Sequence, residues 1–139
     1  MGFLDEMESL LEASTVAGST TGTGLALYKG HMPDSSTIAD KAVALIQTPG
    51  QGRMGRLDIE RPRVQVVVRG APQHTSTSAY VDAQAKMTQA RDALHEYTGS
   101  ANTDGTHYVG IWCENVYFAG LDEGWRPQFA GNFRVMRSV

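Results

Sequence analysis

The chain has 139 residues, 41% of them hydrophobic and 19% charged. That is the size of one ordinary domain, and such a chain buries on the order of two-thirds of its unfolded surface. A formal charge of −3 excludes the strongly basic domain of a general nucleic-acid binder, and the lone Cys113 excludes an intrachain disulfide. The acidic start does not fit a signal peptide, and no apolar run approaches the roughly 20 residues of a membrane span. One soluble, metal-free domain over residues 1–139, made inside the cell, is the expectation.

Residues 3–14 predict an amphipathic helix. Phe3, Leu4, Met7, Leu10 and Leu11 form its apolar stripe, and Asp5, Glu6, Glu8 and Glu12 are assigned to the opposite face. These carboxylates make the first twelve residues purely acidic, leaving the rest at a net +1. The Gly-rich stretch 14–24 predicts a loop, 25–29 a short strand, and 30–34 a turn around Pro33. Residues 37–47 are open to helix or strand, and the Val43–Ile46 run before Pro49 and Gly50 favours a strand over 42–47. A Gly-rich, Arg-bearing loop follows over 49–58.

The clearest strand spans 59–69, with Val64, Val66 and Val68 alternating onto one face. Residues 79–97 predict the main helix, with Tyr80, Ala83, Met87, Ala90, Leu94 and Tyr97 on one face, Ser78 as its cap and Gly99 as its end. After a polar turn over 99–105, strands over 106–118 and 128–137 are close enough to form an antiparallel hairpin across the turn 120–127. The fold class is therefore α+β: a mostly antiparallel sheet of about four to five strands packed by two helices.

No catalytic constellation emerges. Gly50, Gly52 and Gly55 spell GxGxxG, but a dinucleotide site needs a helix directly after the glycines and an acid about 20 residues on. A strand follows instead, and Thr75–Ser78 holds no acid. His31, His74, His95 and His107 are scattered without metal-ligand spacing, and His95 suits the negative end of the main helix. Cys113 reads as a small apolar residue within its strand, and the adjacent Asp122 and Glu123 as a solvated turn. Arg53, Arg56, Arg61, Arg63 and Arg69, against Asp58 and Glu60, give segment 53–69 a local +3. An arginine-only cluster suits ion pairing with an acidic partner, and Asp5, Glu6 and Glu8 of a neighbouring copy are candidates.

Four passages in order carry a family resemblance: MPDSSTIADKAVALIQTPGQG (32–52), ERPRVQVVVRG (60–70), SAYVDAQAKMTQARDALHEYTG (78–99) and GLDEGWRPQFAGNFRVMRS (120–138). They resemble the tail-terminator, or tail-completion, proteins of long-tailed bacteriophages. The resemblance implies a non-enzymatic virion protein without cofactor or metal, made in the host bacterial cytoplasm. It implies a homo-oligomeric ring, commonly a hexamer, on the head-proximal end of the tail tube, ending tube polymerisation and presenting a surface to the head connector. DNA would pass through the lumen without specific binding. A head–tail stopper is the nearest rival, and a small nucleotide-binding enzyme using Gly50–Gly55 the rival from another class.

Overall fold

Phe3, Met7 and Leu11 recur at steps of four, and the first helix, α1 (Phe3–Ala13), turns all three inward. The computed structural model describes residues 2–14, 16, 25–32, 41–52, 59–75, 77–99 and 106–138. The further elements are β1 (Ala26–Lys29), β2 (Ala42–Gln51), β3 (Ile59–Arg69), α2 (Ala79–Leu94), β4 (His107–Leu121) and β5 (Pro127–Ser138). The strands form a five-stranded sheet in the order β1-β2-β3-β5-β4. β1 pairs with β2 in parallel and every other pairing is antiparallel, so the fold is α+β with a mostly antiparallel sheet.

Both helices lie on one face of the sheet. Val43, Leu45, Val64, Val66, Val68, Ile111, Phe129, Phe133 and Val135 meet Phe3, Met7, Leu11, Met87, Ala90 and Leu94 in one core. A Cβ at Gly131 would stand 2.8 Å from the Met87 methyl and 3.1 Å from the Phe133 ring, so its absence lets α2 drop onto β5. Among the described residues no helix covers the opposite face, where Ala44, Val67 and Ala130 form a small cluster with Met32 and Ile46. The valine alternation read from β3 is the observed one, with Val67 on that second face.

Three boundaries depart from expectation. β2 continues through Pro49 and Gly50 to Gln51, because β1 covers only Ala42–Leu45 and proline is tolerated where a strand has become an edge. α2 stops at Leu94 rather than Tyr97. Glu96 adopts φ 65° and gives its N–H to the Ile111 carbonyl at 2.6 Å, so a bond to β4 ends the helix before Gly99. Ser78 caps α2 only by position, its hydroxyl donating to the Asp82 carboxylate. Of the loops expected at 14–24, 49–58 and 99–105, residues 17–24, 53–58 and 100–105 lie outside the described residues.

Candidate assembly surface

The acidic helix divides in two. Glu6 is fully buried, three residues after Phe3 and four before Leu10, and so lies on the apolar face of α1 rather than the polar one. It accepts a hydrogen bond from the Tyr108 hydroxyl and ion-pairs with Arg137 at 3.2 Å. Arg137 also bonds Glu60 at 2.9 Å and stacks over the Phe3 ring. Burial, reinforced by the bond to Glu6, pushes the Tyr108 phenol well above its ordinary range. Asp5 and Glu8 face outward instead, sharing Lys29 as an intramolecular partner. The bond from Lys29, with that from the Gly2 N–H, holds the Asp5 carboxyl below its ordinary value.

The arginines divide likewise. Arg69 is 1% exposed, against the expectation that it joins a charged face. It is the last residue of β3, between its two neighbouring strands and level with Ala42 of β2 and Gln128 of β5. Arg61 donates to the Gly52 carbonyl at 2.9 Å, and Arg63 lies 3.6 Å from Glu114. Arg53 and Arg56 lie outside the described residues. Of the eight charged candidates, Asp5, Glu8, Arg61 and Arg63 therefore remain on described surface. Arg134, missed in the sequence because it is isolated there, sits beside Arg63 in register and stacks on Trp112.

Other readings also find their places. β2 leads into an antiparallel strand, not into the helix and parallel strand that a dinucleotide turn requires, and Gly55 lies outside the described residues. Among the described residues no His, Cys, Asp or Glu cluster could hold a metal. His95 follows the last residue of α2, its Nδ1 accepts the Cys113 N–H at 3.0 Å, and its Nε2 lies 3.7 Å from Glu96. Cys113 packs partly against the core, and burial raises its thiol pKa. Asp122 is not a solvated turn residue. Its carboxylate takes the Gly124 and Arg126 N–H groups at 2.9 Å and the Arg126 guanidinium at 2.8 Å, fixing the β4–β5 reversal.

An exposed apolar run lies on β4, an edge strand of the sheet among the described residues. Val116, Tyr117, Phe118 and Leu121 are all about 40% exposed, and Tyr80 on α2 stacks on Phe118 beside them. From Asn115 to Leu121 no side chain is charged. Natural edges are normally guarded by charge or proline, and an unguarded apolar edge marks a surface that becomes covered.

The sequence matches the family described as "Bacteriophage tail terminator protein" over residues 10–125. The chain belongs to this tail terminator family. A search of curated proteins finds no match. A chain in the structure titled "Virion of native gene transfer agent (GTA) particle" is similar in fold, with TM-score 0.64 at 17% identity over 96% of this chain and 92% of that one. As a family member the protein is a structural component of the phage tail, and none of its described helices is long and apolar enough to cross a membrane. Of the expected site, Asp5, Glu8, Arg61 and Arg63 supply charge to the terminator's surface, whereas the apolar stretch of β4 was not anticipated as a surface at all.

Proposed function

We propose that copies of this terminator close into a ring, six being the expected number, on the head-proximal end of the tail tube. There the ring ends tube polymerisation and gives the head connector its docking surface, with DNA passing through the lumen unrecognised. Family membership supplies the location, and the uncharged apolar edge of β4 is the observation that carries assembly. A closed ring is a heterologous contact, so each copy must offer two different, complementary surfaces. Asp5 and Glu8 of one copy facing Arg61 and Arg63 of the next are a secondary contact. It is weakened because Lys29 already meets Asp5 and Glu8, and Glu114 meets Arg63, within the chain. The function needs no bond made or broken.

Particles assembled without the protein test the reading. Overlong or uncapped tails in electron micrographs are the expected result; tails of normal length with leaking heads would make it a stopper and overturn termination. Reversal of Arg61 and Arg63 to Glu should weaken the purified ring in light scattering, and an unchanged ring would discard the charge contact alone.

A further inference from the structure

The outer side of β4 is closed along its first half by the segment that follows α2. Tyr108 exchanges N–H···O bonds with Gly99 at 2.6 and 3.1 Å, the Ile111 carbonyl takes the Glu96 N–H, and the Cys113 N–H goes to His95. The cover ends at Cys113. Tyr108, Ile111 and Cys113 are level with Arg137, Val135 and Phe133 of β5, and the same alternation continues through Val116 and Phe118, level with Gly131 and Phe129. The backbone groups of Val116 and Phe118 therefore point outward as well, and among the described residues no strand meets them.

The opposite edge of the sheet has the reverse profile. Following the register across all five strands, Leu27, Tyr28 and Lys29 of β1 are level with Phe118, Tyr117 and Val116. Beyond Leu45, at the level of the covered half of β4, β1 is absent. The two edges are thus complementary steps: one has an extra strand where the other has an open one, and the cover over 95–99 stands where β1 has ended. In copies placed side by side with the same orientation, β4 and the next β1 run antiparallel, because β1 and β5 run together and β4 opposes β5. At the β1 end of this step lies Lys41, and at the β4 end Glu123, both exposed and opposite in charge.

We propose that β4, over Val116–Gly120, is a strand-addition site filled by the outer edge of β1, Ala26–Lys29, from a neighbouring copy, so that the sheet continues from subunit to subunit. The proposal rests on the ring reading above and names its lateral contact. Main-chain hydrogen bonds would supply the adhesion, and the apolar side chains on both faces would be buried by the added strand.

Hydrogen exchange on the wild-type protein, as free subunit and as purified ring, tests it. The Tyr108 and Cys113 amides should be slow in both states. Those of Val116 and Phe118, with the β1 amides that point away from β2, should slow by about tenfold or more on ring formation. Unchanged exchange in β4 or in β1 would overturn the pairing, as would protection that appears only when tail tubes are added, since the tube would then be the occupant. Val116→Pro removes an outward N–H while sparing the ladder to β5, and should abolish the ring with the free subunit still folded by circular dichroism. A ring of normal size from this variant would overturn the pairing and leave the ring reading intact; wild-type protein that never forms a ring, with or without tubes, would sink the ring reading itself.

Discussion

The two halves of β4 have the same neighbour, β5, on their inner side and opposite circumstances on their outer side. From His107 to Cys113 the chain spends its own connector on the exposed backbone, and Tyr108 and Ile111 are buried beneath the helices. From Glu114 to Leu121 no described segment provides such a cover, and nearly every side chain is exposed. One strand thus joins a part whose outward backbone is satisfied within the chain to a part whose outward backbone and apolar side chains meet no described strand. The lesson is that one strand can carry both a sealed and an open backbone edge, divided where its guard segment stops.

Alanine substitutions should break or confirm this division most directly. Ile111→Ala, in the sealed half, should cost about 2–5 kcal/mol of stability, the usual range for a buried aliphatic truncation. Val116→Ala should cost well under about 1 kcal/mol in the free subunit, since a partly exposed side chain leaves little cavity. Chemical denaturation of both variants measures this, and equal losses would erase the distinction. Next in size, Glu6→Ala should cost about 1–3 kcal/mol by leaving the buried Tyr108 hydroxyl without its acceptor. That loss belongs to folding, so denaturation midpoints should fall before ring formation is affected at a given folded fraction.

The smallest effect concerns Asp5. Its folded-state pKa is depressed, so its contribution exists above the unfolded carboxylate pKa and disappears as pH falls through the lower folded value. The stability gap between wild type and Asp5→Asn should therefore narrow on acidification from pH 5 towards pH 2 (roughly the range of carboxylate titration). A gap that widens would show that Lys29 does not favour the ionised form.

Much of this was legible beforehand because local periodicity carries it. The Val64, Val66, Val68 alternation and the Ala83, Met87, Ala90, Leu94 stripe each reported a buried face. What escaped depended on residues far apart in sequence. Glu6 was assigned to the polar face by its chemistry, although its spacing from Phe3 and Leu10 places it on the apolar one. Its partners Tyr108 and Arg137 are 102 and 131 residues away. Arg69 was counted as surface charge because nothing local shows that β3 ends between two neighbours. The exposed run in β4 was legible as a strand but not as an edge, since strand order comes from pairings between distant segments.

The link between Glu6 and Arg137 also sets a condition. Along the chain, the inward carboxylate of the first helix precedes its hydroxyl partner on β4 by 102 residues and its cation on β5 by 131. The contacts that fully satisfy that carboxylate therefore form only when both β4 and β5 are in place.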